Sequence, residues 1–145
     1  MQKNRYKPLV DKFFWITLVI VTALLLGVTA TIIFFPDALA ISITILVDLL
    51  TLYLMLSPLF GYVELRESCV YIKFGLILKK EIPYDKIRGV VKERKFYTES
   101  IISLKNALEH INIKYGTFDV VTVSVVDNDG FIMELERHIG KSSQE

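Results

Sequence analysis

Asp48 is the side chain whose position in this sequence most favours a chemical role. Between Phe13 and Phe60 the only acidic or basic residues are Asp37 and Asp48. A carboxylate in the middle of an apolar membrane segment costs about 2.5 kcal/mol or more to insert. Three roles therefore stay open: a proton or cation site, a contact between protomers, or a hydrogen bond to a neighbouring helix. We expect a structural role, opposite Thr22–Leu26 and near Gly27, because two helices alone make a poor pore.

A run of basic residues in the second half of the chain could face anionic lipid headgroups. Its members are Lys79, Lys80, Lys86, Arg88, Lys92, Arg94 and Lys95. Juxtamembrane cations are attracted to an anionic membrane surface. Glu81, Asp85 and Glu93 interrupt the run, as is typical of ordinary solvated strand edges, so both interpretations stay open. The net charge of +1 lacks the basic excess of a nucleic-acid-binding protein, which excludes that class.

Residues that usually carry catalysis or bind metals are few and scattered. His110 and His138 have no metal-ligand spacing, and we expect them on the surface or packed in a strand. The single cysteine, Cys69, excludes an internal disulfide and is predicted to be a buried, inert thiol. The segment 127–130 (DNDG) lacks the ligand spacing of a calcium loop and favours a helix start. We therefore predict no enzyme activity, no metal site and no cofactor.

Two apolar runs, Phe13–Phe35 and Ala38–Phe60, must position Asp48. Each contains 23 residues, and at about 1.5 Å per residue each can cross a hydrocarbon core of roughly 30 Å. A cleaved signal peptide has a shorter apolar region that ends in small residues, unlike the first run. Pro36-Asp37 interrupts the helical pattern and could cap the second helix. The sequence thus predicts a transmembrane helical hairpin over residues 13–61.

Positive charge predicts the orientation of this hairpin. Four cations precede the first run and none lies in the turn: Lys3, Arg5, Lys7 and Lys12. Cationic flanks stay in the cytoplasm, so residues 1–12 are predicted to form a basic cytoplasmic N-terminus. Two crossings return the chain to the same side. We expect a multi-pass membrane protein with both termini in the cytoplasm.

From residue 62 the apolar residues alternate with polar ones, which is typical of strands with one buried face. The clearest runs are Val63–Arg66, Val70–Phe74, Ile111–Tyr115 and Val121–Val125, whereas Leu76–Ile82 and Arg88–Lys95 are weaker. Phe96–Asn106 is predicted to be a loop with a helical turn around Ile101 and Leu104. The last segment returns to helical spacing. It predicts an amphipathic helix over Val126–His138, entered through a capping box at Ser124–Asp127.

This order of elements resembles the bacterial pleckstrin-homology-like (PH-like) proteins of the YyaB-like type. The resemblance rests on YVELRESCVYIKFGLILKKEIPYDKI (62–87), INIKYG (111–116) and the run Val121–Leu135. It covers roughly Tyr62–Ile139, and the hairpin in architecture only. Glu109 and His110 stand where the family often has an Asp-Arg pair, so a role of that pair does not carry over.

The resemblance implies a partly open β-barrel of about seven strands, closed at one end by a helix. The expected fold class is therefore a membrane-anchored α+β protein. Its two-helix transmembrane hairpin precedes a cytoplasmic PH-like β-barrel over 62–141, capped by the C-terminal helix, with a polar tail at 142–145. Phosphoinositide-binding PH domains use a cationic loop between their first two strands. That loop is Glu67-Ser68 here, so no specific phosphoinositide ligand is expected.

PH-like domains mostly serve as binding or assembly modules. The resemblance thus implies a membrane-anchored, non-enzymatic module at the cytoplasmic face of a bacterial cell membrane, acting through self-association or a protein partner. One alternative is an immunity protein against a membrane-active peptide, since small bacterial membrane proteins with PH-like domains include such factors. Another is an accessory subunit of a small transporter or channel, which would require Asp48 to be indispensable.

Overall fold

The computed structural model describes residues 4–32, 34, 37–97, 100, 103–105 and 107–142. Its helices are α1 (Lys12–Ile32), α2 (Ala38–Leu56) and α3 (Asn128–Ser142). Its strands are β1 (Asn4–Tyr6), β2 (Tyr62–Leu65), β3 (Cys69–Phe74), β4 (Leu78–Pro83), β5 (Ile87–Arg94), β6 (Ser103–Leu104), β7 (Glu109–Tyr115) and β8 (Asp119–Val123). Two short 3-10 helices follow α2 and β4, at Ser57–Phe60 and Tyr84–Lys86.

The two long helices present apolar side chains on almost every side. Phe14 is the one buried residue of α1, and none of the described residues of α2 is buried. A helix that is apolar all round is stable within a protein core or a bilayer, not in water. Both helices are long and apolar enough to cross a membrane, the second one as far as Phe60. The protein is therefore associated with a membrane through these helices.

The helix ends are set by local chemistry. Asp37 Oδ1 accepts a hydrogen bond of 2.9 Å from the backbone N–H of Leu39 and so caps the N-terminus of α2, as the sequence predicts. Pro36, the other half of the predicted turn, lies outside the described residues. Pro58 stands in the 3-10 helix that closes α2, because a proline without an N–H fits the first turn of a helix.

The strands form two four-stranded sheets with the orders β1-β2-β3-β4 and β5-β7-β8-β6. All neighbours are antiparallel except β6, which is parallel to β8. Alternation along each strand turns one apolar face inward, with Val63, Val70 and Ile72 from the first sheet against Ile111 and Ile113 from the second. This two-sheet arrangement with a terminal helix confirms the predicted fold class.

The first strand was not expected from the sequence, which assigns residues 1–12 only a basic N-terminus. Tyr6 pairs with Val63 of β2. Beyond β1, the Leu9 N–H donates to the Ser124 carbonyl over 2.9 Å, and the Val126 N–H donates to the Lys7 carbonyl over 3.1 Å. The segment that enters α1 is therefore part of the β-domain and connects its two sheets.

The sheets do not join between β4 and β5. These strands are consecutive in the chain and are connected by the 3-10 helix Tyr84–Lys86, but each ends its own sheet. The domain is therefore a partly open barrel, as the resemblance implies. Unpaired strand edges leave backbone N–H and C=O groups available to another chain.

The terminal helix packs Phe131 and Leu135, both fully buried, onto the core. The predicted capping box is wrong, because Ser124 Oγ donates to the Glu109 carbonyl and not to the helix. Asp127 caps the helix instead: its Oδ1 accepts a 2.9 Å hydrogen bond from the Gly130 N–H. A Cβ at Gly130 would collide with the Asp127 carboxylate, which explains a glycine in the first turn.

Two further predictions from the sequence are wrong. Leu104 is not in a helical turn but in β6, where it pairs with Val123 and is fully buried; Ile101 lies outside the described residues. Cys69 is half-exposed rather than buried. Because side chains alternate along β3 and Val70 and Ile72 point inward, Cys69 points outward.

Candidate functional site

The carboxylate of Asp48 faces α1 and contacts a hydroxyl there. Thr29 Oγ1 donates to Asp48 Oδ2 over 2.6 Å, and it also lies 2.9 Å from the Leu25 carbonyl oxygen. The partner lies nearer the connection between the helices than the predicted Thr22–Leu26. The predicted close approach at Gly27 is wrong, because a Cβ there would meet no atom of the described residues within 4 Å. The Thr29–Asp48 hydrogen bond connects α1 to α2.

The seven basic residues lie along the opening of the barrel. Lys79 and Lys80 are on β4, Lys86 is in the 3-10 helix, and the other four, Arg88, Lys92, Arg94 and Lys95, are on β5 or directly after it. The structure therefore places the run on the two strand edges that border the opening, and not on one flat face. Charged side chains at such edges discourage uncontrolled pairing with other chains.

Lys92 forms two ion pairs within the domain. Its Nζ lies 2.8 Å from Asp129 Oδ1 and 2.6 Å from Glu109 Oε1, so it joins β5 to β7 and to the first turn of α3. The hydrogen bonds that the Lys92 ammonium donates to Asp129 and Glu109 raise the pKa of Lys92, and the same bond to Glu109 lowers the pKa of that carboxyl group. Glu109, which stands where the family often has the aspartate of an Asp-Arg pair, thus has Lys92 as a structural partner.

The other cations differ in their contacts. Lys95 Nζ lies 3.0 Å from Glu93 Oε2, and Lys80 Nζ lies 5.3 Å from the centre of the Tyr115 ring. Four exposed members of the run make no ion pair with any described residue: Lys79, Lys86, Arg88 and Arg94. These four side chains are therefore the part of the basic run that is available to a partner.

Both histidines have packing contacts. His110 is fully buried, and its Nδ1 lies 2.9 Å from the Leu108 carbonyl oxygen. His138 stacks on Tyr84 with ring centres 5.1 Å apart, and Tyr84 donates its hydroxyl proton to the Arg66 carbonyl over 2.6 Å. Burial raises the pKa of Tyr84. Among the described residues, no cluster of three or more His, Cys, Asp or Glu side chains could hold a metal ion.

A groove of about 850 Å³ lies beside the β2–β3 turn, at the end of β3 that holds Cys69. Its charged lining is mixed, with three carboxylates and two ammonium groups: Glu67, Glu81, Asp85, Lys86 and Lys141. A multiply charged phosphate ligand requires a cluster of cations. This groove does not provide one.

Sequence reasoning missed a row of cations on aromatic rings across the outer face of the first sheet. The Arg5 guanidinium lies 3.8 Å from the centre of the Tyr62 ring, and that of Arg66 lies 3.9 Å from the Tyr71 ring. The Glu64 carboxylate lies between the two, 3.7 Å from Arg5 and 3.6 Å from Arg66. The row fixes β1 to β2 and β3. Its signal in the sequence is the two-residue spacing of Tyr62 and Glu64, which places both side chains on the same face of β2.

A cavity of about 410 Å³ lies where the helices meet the domain, and it too was missed. Its lining is largely apolar: Phe13, Phe14 and Thr17 of α1, Thr51, Leu54, Met55 and Pro58 from the second helix, and Phe96, Ser103, Lys105 and Ala107 from the domain. Lys105 donates from Nζ to the carbonyls of Lys95 and Tyr97, over 2.5 and 2.8 Å. Burial lowers the pKa of Lys105.

Two apolar helices followed by two sheets and a capping helix define a membrane-associated protein with a PH-like domain. Residues 61–139, more than half of the chain, match the family model "Bacterial PH domain". The chain therefore belongs to the bacterial PH domain family. Its YyaB-like type stays a prediction, since the match is to the family as a whole. No curated protein and no solved structure matches the chain.

Proposed function

We propose that this protein is a membrane-anchored, non-enzymatic binding module at the cytoplasmic face of a bacterial membrane, and that it acts through self-association or a protein partner. The observation that carries the proposal is the pairing of β1 with β2. These strands lie directly before and directly after the hairpin. The domain is therefore held at both ends of its anchor, with five residues between β1 and α1 and Gly61 alone before β2.

Such tethering determines which partners the domain can reach. A domain this close to the bilayer contacts molecules in the same membrane, at its surface, or in a second copy of the chain. Confinement raises the effective concentration of these partners, so even a weak contact is sufficient. PH domains are generally non-catalytic binding modules, and this supports a role in binding.

The opening between β4 and β5 is the surface that fits such a partner. Among the described residues, no strand pairs with the outer edge of either strand, so each edge can accept an extended segment through backbone hydrogen bonds. Lys79, Arg88 and Arg94 are exposed along these edges and favour a segment with acidic side chains. The mixed charge of the groove beside Cys69, at the β2–β3 turn, supports the expectation that no phosphoinositide is bound specifically.

Positive charge supports the cytoplasmic location. Arg5, Lys7 and Lys12 lie on the same side of the hairpin as the domain, because β1 is part of that domain. Cations next to membrane helices stay in the cytoplasm. The contact of Asp48 with Thr29 supports a structural role for the carboxylate and gives no support to a transporter subunit. The alternative, an immunity protein, differs from a binding module in one observable: its gene should lie beside a gene for a small cationic peptide.

Site-specific crosslinking tests the proposal. A photoreactive side chain replaces Val91, which is 39% exposed on β5, in the full-length protein within native membranes. The control replaces Met133, which is 67% exposed on α3. We expect a discrete adduct, with a partner or a second copy, from position 91 only, and its loss when Arg88 and Arg94 are both changed to Glu. An adduct from position 133 alone would contradict docking at the opening.

A further inference from the structure

Exposed apolar side chains of the domain are concentrated in two loops. Among the described residues after Gly61, nine large hydrophobic side chains are exposed, and five of them lie in Leu76–Leu78 and Phe96-Tyr97. The first loop joins β3 to β4 and includes Leu78, the first residue of β4, and the second loop follows β5. Ile77 is 75% exposed and Phe96 74%. Clustered apolar side chains on a surface indicate a contact with another molecule or a membrane.

The first loop lies against the end of α2. Gly75 begins the β3–β4 turn with φ at +68°, a conformation that favours glycine, and a Cβ there would collide with the side chain of Ser57. Ser57 is the residue that follows α2. The turn therefore lies at the depth where the second apolar helix ends.

The second loop lies against the same end of the hairpin. Phe96 lines the cavity where the helices meet the domain, called the junction cavity from here on, together with Phe13 and Phe14 in the first turn of α1 and Met55 in the last turn of α2. Both apolar loops are thus adjacent to the domain end of the helices, although 17 residues lie between Leu78 and Phe96 in the chain.

The opposite end of the domain carries its own exposed aromatic residue. The Gly116 N–H donates to the Lys86 carbonyl over 3.0 Å, and Lys86 lines the groove beside Cys69. Cys69 begins β3, whose other end leads to Gly75, so roughly 20 Å separate these ends. Phe118, two residues after Gly116, is 89% exposed at this far end.

The flanking residues match those of a membrane interface. Lys79 follows the first loop and Lys95 precedes the second. At a membrane surface, a lysine side chain places its charged end among the lipid headgroups while its aliphatic part lies on apolar surface. Aromatic rings are enriched at the same depth. Trp15 and Phe60, at the domain end of the helices, are 53% and 58% exposed and extend the same apolar belt.

We propose that the loops Leu76–Leu78 and Phe96-Tyr97 insert into the interfacial layer of the bilayer that holds α1 and α2. The inference rests on the proposed membrane anchoring and adds a second, independent contact. The domain then rests on its own membrane in one orientation, with the groove beside Cys69 turned toward the cytoplasm. Acyl chains then have access to the junction cavity, which lies where the helices meet the domain.

Tryptophan quenching in proteoliposomes of the full chain tests this contact. Lipids brominated near the headgroup end of their acyl chains quench only a tryptophan that reaches them. The native chain, with Trp15 as its single tryptophan, reports on the hairpin. Phe96→Trp, Ile77→Trp and Phe118→Trp, each combined with Trp15→Phe, report on the two loops and on the far end. All three positions are exposed, so each variant should keep the unfolding midpoint of the native protein.

We expect Trp15, Phe96→Trp and Ile77→Trp to be quenched and blue-shifted, and Phe118→Trp to emit as in water. Quenching of Trp15 without quenching of the loop variants overturns the inference and leaves the anchoring intact. In that case, a blue shift of the loop variants without quenching means that protein covers the loops. Equal quenching of Phe118→Trp contradicts the single orientation. No quenching of Trp15 overturns the anchoring itself.

Discussion

Replacing Tyr6 by alanine tests whether the segment before α1 belongs to the β-domain. Tyr6 pairs with Val63 of β2 and contacts Phe131 of α3 edge to face, with ring centres 5.1 Å apart. Phe131 is fully buried, and Tyr6 is partly buried against the same core. This burial raises the pKa of the Tyr6 phenol.

The expected loss follows from this burial. Truncation of a fully buried aromatic side chain to alanine costs about 3–5 kcal/mol, and the edge-to-face pair contributes about 1 kcal/mol. Because Tyr6 is only partly buried, we expect a loss of about 2 kcal/mol in the free energy of unfolding of the domain. For a domain of this size, that loss lowers the melting temperature by roughly 10 °C.

Urea titration in mild detergent, followed by circular dichroism of the β-domain, measures the change. Phe118→Ala is the control, since it removes an aromatic ring that is 89% exposed and should change stability by less than about 0.5 kcal/mol. If Tyr6→Ala unfolds at the same urea concentration as Phe118→Ala, then β1 does not contribute to the core and the domain is not held at both ends of the hairpin.

Two other contacts have measurable consequences. Asp48→Leu and Thr29→Val should each weaken the packing of the hairpin by about 1 kcal/mol, whereas Asp48→Asn keeps the hydrogen bond to Thr29. A detergent unfolding assay measures these differences. Equal damage from Asn and Leu at position 48 would favour an ionisable function of Asp48 instead. Because Lys92 lowers the pKa of Glu109, this carboxylate contributes stability above its ordinary pKa and loses it as the pH falls through the lowered value. Melting temperatures of Glu109→Gln should therefore fall less than those of the native protein as the pH is lowered from neutral to below about 4, and parallel curves would contradict the ion pair between Lys92 and Glu109.

The hairpin and most strands were predictable because their signals are long or repeated. Apolar runs of 23 residues and the alternation at Val70–Phe74 are visible without knowledge of any partner. The outward position of Cys69 was also predictable from the sequence, because Cys69 alternates with Val70 and Ile72, which point inward. A cysteine is more often buried than exposed, but at this position its phase along β3 decides its orientation.

Features that depend on distant pairing were not predictable. β1 has only three residues and becomes a strand through β2, which lies beyond both membrane helices. The partner of Asp48 depends on how the helices are offset along their axes, which the spacing of apolar residues does not fix. The position of the basic residues beside an opening depends on the strand order, because β4 and β5 are consecutive and yet unpaired.

A pair of reporter fusions in the full-length protein tests on which side of the membrane the domain lies. A reporter enzyme that is active only outside the cytoplasm is fused after Glu145 or inserted at Asp37. We expect the fusion after Glu145 to be silent and the insertion at Asp37 to be active, because cations flank only the domain side of the hairpin. Activity after Glu145 with silence at Asp37 would contradict a cytoplasmic domain.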